Sequence, residues 1–401
     1  MRPKMALLFV VGLGAAGSCS SEPVCGNDVV EDGERCDGNC PTACVAAAAC
    51  MTAAVVGDSA GCSAHCEETP LATCVDGDGC CPAGCGATGD TDCVVCSAGP
   101  PAGVRVSLPA DDAPHFSDIE WWYWTGHLQT ETGRQFGFQL VYFLAQYGGF
   151  WAHAVHQALT DVQAGAFHFA DDAGANRPQT VSTGYLLAMP LASAQGGDGF
   201  DVLHSSVDGL VLDLELGAVK APVYQYGVGY VDYPFGGNTY YYSRERMDAT
   251  GTLTIGQDKL KVTGDAWFDH QWGQLSDARA MGWDWFALSL DDDREIMVFI
   301  IRSTPVMVGG SYTDAGCQTQ PIQEGDVSIT ATGAWVSPHT GRTYPSGWDI
   351  QVLGMQFHVE PLLDDQELNV SVPPPGVAYW EGACAVTGDA TGKAYVELTG
   401  Y

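Results

Sequence analysis

The placement of cysteine limits this chain more than any other feature. Fourteen of its sixteen cysteines lie between Cys19 and Cys96, and only Cys317 and Cys384 follow. A segment so dense in cysteine and so poor in large apolar side chains cannot build a core of its own. In an exported chain such a segment is held by disulfides. Zinc is the competing use of cysteine, but "CDGNCPTAC" and "GCCPAGC" have neither paired CxxC spacing nor the histidines of zinc modules. The rest of the chain must fold on hydrophobic burial, with room for one cross-link between Cys317 and Cys384.

That remainder reads as all-β. Short segments rich in Val, Tyr, Trp, Phe and Leu alternate with turn signals such as "TETGR", "GGDG", "DATG", "LDDD" and "TGDATGK". Fifty glycines suit bulges and hairpins better than helices. So many short strands exceed one sandwich or small barrel, which predicts two β domains of about 150 residues each. The break between them is expected near Asp248 to Gly251. The predicted organisation is therefore a leader over 1–18, a disulfide module and stalk over 19–96, a Pro-Pro linker over 97–103, and β domains over 104–248 and 249–401.

The leader "MRPKMALLFVVGLGAAGSC" pairs a short cationic start with an apolar run too short to span a bilayer, the pattern of an export signal. Ala16-Gly17-Ser18-Cys19 is similar to a bacterial lipobox, with Ala where Leu is commonest, so lipidation of Cys19 competes with ordinary cleavage near Gly17. A lipidated Cys19 leaves thirteen cysteines in the module, and Cys96 is then the expected odd one. The net charge of −33 repels phosphate backbones and excludes nucleic-acid partners. It also opposes electrostatic docking on anionic lipid, so any membrane association is expected through the lipid anchor alone. The expected place is the cell envelope, outer membrane or beyond; the oligomeric state is not legible.

Two stretches of the cysteine-rich segment, "CGNDVVEDGERCDGNC" and "TPLATCVDGDGCCPAGCGATGDTDC", resemble Cys-rich repeats of myxobacterial surface proteins, which implies a spacer or adhesion module. The "DGDG" at 76–79 reads as a turn, since the EF-hand pattern is missing. Downstream, "EWWYWTGHL", "FGFQLVYF", "HQALTD", "YYSRERM", "GDAWFDHQWG", "GWDWFALSL", "YWEGACAVTG" and "AYVELTGY" together are similar to the carotenoid 1,2-hydratase (CrtC) and AttH-like family. The resemblance implies two consecutive lipocalin-like β-barrels with pockets for hydrophobic ligands. In its hydratases a His-x-Trp is held to be catalytic, and it falls here on His270 and Trp272.

As a strand, "AWFDHQWG" puts Phe268, His270 and Trp272 on one face and Trp267, Asp269 and Gln271 on the other. A histidine between aromatics is either core or pocket, and the resemblance favours a pocket. Adding water to an unactivated double bond needs a proton donor and a surface that tolerates a carbocation. Imidazole or carboxyl groups in apolar settings supply the first, and indole faces the second. Asp284, sharing its face with Phe286 and Leu288, is the expected partner acid, and Asp269 is a further catalytic candidate. Glu120, Trp122, His156, Tyr242, Trp272, Trp283 and Trp285 are the expected ligand contacts. Glu120, Glu381 and Glu397 would otherwise be buried acids needing partners, for which Arg244 and Arg246 are the expected cations.

There is no G-x-S-x-G elbow, HExxH or Gly-rich phosphate loop, and no cofactor or metal is expected. His153 and His156 fall on opposite strand faces and cannot share an ion. Two classes remain open: an acid–base enzyme for an isoprenoid- or polyketide-like molecule, acting by hydration, cyclisation or hydrolysis, and a non-catalytic lipocalin-type carrier or sensor. The leader itself gives a test. Mass spectrometry of the mature protein should find a lipid-modified Cys19 at the N-terminus; an unmodified terminus elsewhere overturns the anchor.

Overall fold

The computed structural model describes residues 25, 34–37, 40–44, 51–70, 73, 100–147, 150–175, 184–275, 282–371 and 377–401. The leader, Cys19, the 76–79 turn and positions 97–99 of the linker lie outside them. The chain divides into two compact units, Met1–Cys93 and Val94–Tyr401. In the first, β1 (Met51–Val56) pairs antiparallel with β2 (His65–Pro70). Disulfides join Cys25 to Cys62, Cys36 to Cys40 and Cys44 to Cys66, so the module is stapled as its cysteine density requires.

The second unit contains no α-helix among the described residues and folds as two barrel-like antiparallel sheets. Buried and outward residues alternate along β9 (Phe200–Val207) and β10 (Leu210–Ala218), and in β10 the inward set is Leu212, Leu214 and Leu216 and the outward set Asp213 and Glu215. The first sheet adds β3 (Ile119–Thr130), β4 (Gln135–Tyr147), β5 (Phe150–Asp161), β6 (Ala166–Gly174), β7 (Tyr185–Met189) and β8 (Ala192–Gly197). It also holds β11 (Val223–Tyr224), β12 (Tyr230–Asp232), β13 (Asn238–Ile255) and β14 (Asp258–Gln274). Its main path runs β6-β5-β4-β3-β14-β13-β10-β9-β8-β7, so β14 returns to lie beside β3. The expected break near Asp248 to Gly251 falls inside β13, where those residues pair with Leu214 to Gly217. The first sheet therefore runs on to Gln274, and the next begins at Trp283. The "DATG" turn signal is overridden by ladder pairing on both sides of β13.

The second sheet consists of β15 (Trp283–Leu290), β16 (Glu295–Ile301), β17 (Met307–Thr313), β18 (Thr319–Ile322) and β19 (Val327–Val336). It continues with β20 (Thr343–Val352), β21 (Met355–Pro361), β22 (Glu367–Asn369), β23 (Ala378–Gly388) and β24 (Gly392–Leu398). Its path is β18-β17-β16-β15-β24-β23-β21-β20-β19. Cys384 is buried and free, and Cys317 is disulfide-bonded elsewhere, so the expected link between them is not made.

Three cores result. Trp122, Trp124, Phe138, Tyr242 and Phe268 fill the first barrel, and Phe286, Leu288, Trp348 and Trp380 the second. Between the sheets, Tyr123, Val141, Tyr241 and Trp267 of the first pack on Trp285, Met297, Ala383 and Tyr395 of the second. Contact is so close at Gly137 that a Cβ there would lie 2.5 Å from that of Ala383. Polar bonds pin the seam: Thr160 Oγ1 donates to Gln366 at 2.7 Å, Lys393 Nζ to Asp265 at 2.6 Å, and Lys220 Nζ to buried Glu295 at 2.7 Å.

Glu245 also sits in this seam, with Ser311 Oγ donating to one carboxyl oxygen at 2.7 Å and the other unpartnered. Burial pushes its pKa up to about 7, against the opposing influence of the Thr313 and Ser311 hydroxyls nearby. A carboxyl raised in the folded state stays protonated while its unfolded counterpart ionises. Stability should then fall between about pH 4.5 and 7 and level off above, by about 3 kcal/mol. Glu245→Gln should flatten that portion of the pH–stability curve measured by denaturant unfolding; an unchanged slope means the group is ionised in the fold.

Candidate functional site

Strand register assembles the inner wall of the first barrel. On one rung Tyr142, Trp122, His270 and Tyr242 lie on neighbouring strands, and on the next Leu144, Glu120, Trp272 and Tyr240 do. Glu120 and His270 are both fully buried, and His270 Nε2 donates to Glu120 Oε1 at 2.9 Å. A segment preceding β3 completes the arrangement. His115 Nδ1 donates to the same oxygen at 2.9 Å, and the backbone N–H groups of His115 and Phe116 donate to Oε2 at 2.9 and 3.2 Å. Phe116 adopts φ 52°, a left-handed conformation that costs a non-glycine residue energy and that these bonds hold in place.

Aromatic rings enclose the pair. Trp122 stacks on His270 at 4.6 Å, Trp272 lies 4.7 Å away, and Tyr242 meets it edge-on at 5.5 Å. His115 stacks flat on Trp272 at 3.8 Å, with Tyr240 stacked on the same indole at 5.3 Å. Behind them, Asp112 accepts from Tyr242 Oη and, at 3.4 Å, from Arg244, while its carbonyl accepts from Trp122 Nε1 at 3.2 Å. Burial lifts the Glu120 pKa, but the hydrogen bonds from His115 and His270 outweigh it and hold the carboxyl below its ordinary range. Burial lowers the His270 pKa more than Glu120 raises it. The shift favours the neutral ring, in which Nε2, facing the carboxylate, carries the proton; Nδ1 has no partner.

Of the expected residues, Glu120, Trp122, Tyr242, His270 and Trp272 come together here. Asp284 does not. It shares a face with Phe286 and Leu288 as expected, but that face lines the second barrel, where Arg302 donates to it at 2.5 Å and Tyr401 at 2.9 Å. Burial still raises its pKa, against the Arg302 charge. Asp269 points from the opposite face of β14 into the seam, accepting from Tyr241 at 2.6 Å and Trp267 at 2.7 Å, with its pKa pushed up to about 6 by burial. Trp285 packs in the seam and Trp283 against it, the latter bonded to Glu397 at 3.0 Å. His156 shares a hydrogen bond with Tyr379 at 2.8 Å across the seam. Arg244 and Arg246 serve Asp112 and Glu295, and neither meets Glu120, Glu381 or Glu397. His115 and Asp112 were missed because both precede the strand pattern; the only signal was a histidine five residues ahead of an acid in an aromatic run.

The donor atoms of His115, Glu120 and His270 lie within 4.8 Å of one another, a set able to hold a metal ion. The other such group among the described residues, Cys25, Asp37 and Cys62, is committed to a disulfide. Neither of two cavities borders His270: one of about 20 Å³ reaches Thr125 and Tyr395 at the seam, and an open depression of about 460 Å³ covers the outer face of β19–β21. His270 is sealed by His115 and its aromatic neighbours. Glu120→Ala would strand four donors at once and should destabilise the protein by about 3 kcal/mol or more in urea unfolding. Glu120→Gln, keeping one acceptor, should cost less; equal stability for the wild type and Glu120→Ala would show that the network carries no load.

Comparison with known proteins bears on this geometry. Residues 100–401 match the AttH-like family model. The crystal structure of a protein described as AttH from Nitrosomonas europaea superposes with a TM-score of 0.68 at 28% identity, covering 76% of this chain and 99% of that one. Kievitone hydratase from Nectria haematococca superposes with a TM-score of 0.61 at 17% identity, covering 75% and 95%. No curated protein sequence matches the chain.

Proposed function

The chain belongs to the AttH-like family, and on that premise we propose that its first barrel binds a hydrophobic, isoprenoid- or polyketide-like small molecule and acts on it by acid–base chemistry at Glu120 and His270. One observation carries this reading: a neutral imidazole, walled by Trp122 and Trp272, has one nitrogen tied to a buried carboxylate and the other bare. Glu120 fixes the tautomer, so the Nδ1 lone pair can take a proton from water or from a ligand hydroxyl. The imidazolium formed is stabilised by the carboxylate at 2.9 Å and returns the proton later in the cycle. Positive charge on the reacting molecule would face the indoles of Trp122 and Trp272. Cyclisation or hydrolysis that begins by taking a proton from a hydroxyl or from water fits such a group; hydration of a double bond fits when the imidazole enters the cycle protonated, gives that proton to carbon and takes one back from the attacking water. Export and a lipid anchor at Cys19, putting the barrels on the cell envelope, belong to the same proposal and rest on the leader alone.

A carrier without catalysis is the second reading, favoured by the complete burial of His270 behind His115. One experiment separates them. Hydrophobic extracts of the native host are incubated with the wild type and His270→Gln, and product formation, bound molecules and thermal midpoint are followed. Catalysis predicts a loss of about 10²–10⁴ in turnover with a nearly unchanged midpoint. Retained binding with no turnover in either protein leaves the carrier. A lower midpoint with activity kept makes His270 structural.

A further inference from the structure

The hydrogen-bond accounting around His270 says what kind of molecule this wall can accept. Nδ1 is buried and has no partner. Three donors on its flanking side chains are already committed, Trp122 Nε1 to the Asp112 carbonyl, Tyr242 Oη to the Asp112 carboxylate and His115 Nδ1 to Glu120, and the Trp272 indole N–H makes no bond to Nδ1. Phe268, the remaining ring beside Trp272, has no donor to offer. A buried lone pair left unmade is costly, so a ligand that brings an O–H or N–H to this point gains more than one that brings only carbon or a carbonyl.

Charge narrows the choice. Glu120, Asp112 and Asp201 are all buried in this barrel, and Arg244, the guanidinium near them among the described residues, is engaged with Asp112. An anionic ligand would meet carboxylates without a free cation to balance it.

We propose that the ligand of the first barrel is an uncharged aromatic or polyene molecule bearing a hydroxyl or N–H, which it donates to His270 Nδ1, and that carboxylate ligands are rejected. This rests on the reading of the first barrel as a hydrophobic binding site, and adds to it the polarity of the group that must face His270.

Three naphthalenes of nearly equal size test it by calorimetric titration of the full chain: 2-naphthol, 2-methoxynaphthalene and 2-naphthoate. The naphthol should bind about tenfold more tightly than its methyl ether, the difference expected for one satisfied buried acceptor, and the naphthoate most weakly. In His270→Phe, checked for an unchanged near-ultraviolet dichroism, the naphthol should fall to the affinity of the ether while the ether is unaffected. If that variant does not fold, the wild-type ranking decides alone. Ether and naphthol binding equally, or naphthoate binding best, overturns the inference and leaves the hydrophobic site standing. If none of the three binds, the site itself is refuted and the inference goes with it.

Discussion

The antiparallel pairing of β14 with β3 is the contact on which the rest of this protein depends. Val262 to Gly273 lie against Thr130 to Ile119, segments far apart in the chain, and this ladder alone brings Glu120 to His270. A strand has two faces, and β14 spends both. Phe268, His270 and Trp272 serve the barrel interior, while Trp267 and Asp269 serve the seam with the second sheet. The opening of "AWFDHQWG" to two different environments is therefore a property of the pleat, not of any one residue.

A chain with 49 acidic and 16 basic side chains leaves several buried carboxylates without a cation. It uses three other devices. Glu120 is ringed by imidazoles and backbone N–H groups, Asp201 and Asp269 each accept from a tyrosine and a tryptophan, and Glu245 has its pKa pushed up to about 7 by burial. The few buried cations are kept for joints, as where Lys220 and Arg246 converge on Glu295 between the sheets. Glu381 is the extreme case, its carboxyl raised well above the usual range by burial and by the neighbouring Glu397.

How far the site was legible follows from what a sequence encodes locally. Alternation places His270 with Trp272 and Asp284 with Phe286, and both hold. Which barrel a face belongs to is decided by strand pairing, a non-local property, and so alternation alone neither assigns Asp284 to the second interior nor sets Glu120 beside His270. The division between barrels was missed for a related reason: "DATG" has turn composition, but flanking strands on both sides carry it through as ladder. The all-β class and the disulfide module were legible because they rest on composition and periodicity, which need no register. His115 sits in irregular backbone, where no period marks a functional side chain.

One feature of His115 bears on access. Its imidazole is the cover over Trp272 and also one of the two imidazoles on Glu120. The barrels are tied by the close approach at Gly137 and the Lys220–Glu295 bridge, while the segment carrying His115 is held to the first barrel by its backbone and imidazole bonds to Glu120. Displacing it withdraws a donor from the carboxylate that sets the His270 proton. A molecule that reached His270 by displacing this ring would therefore meet a carboxylate with one imidazole fewer, so the same contact that seals the pair also completes it.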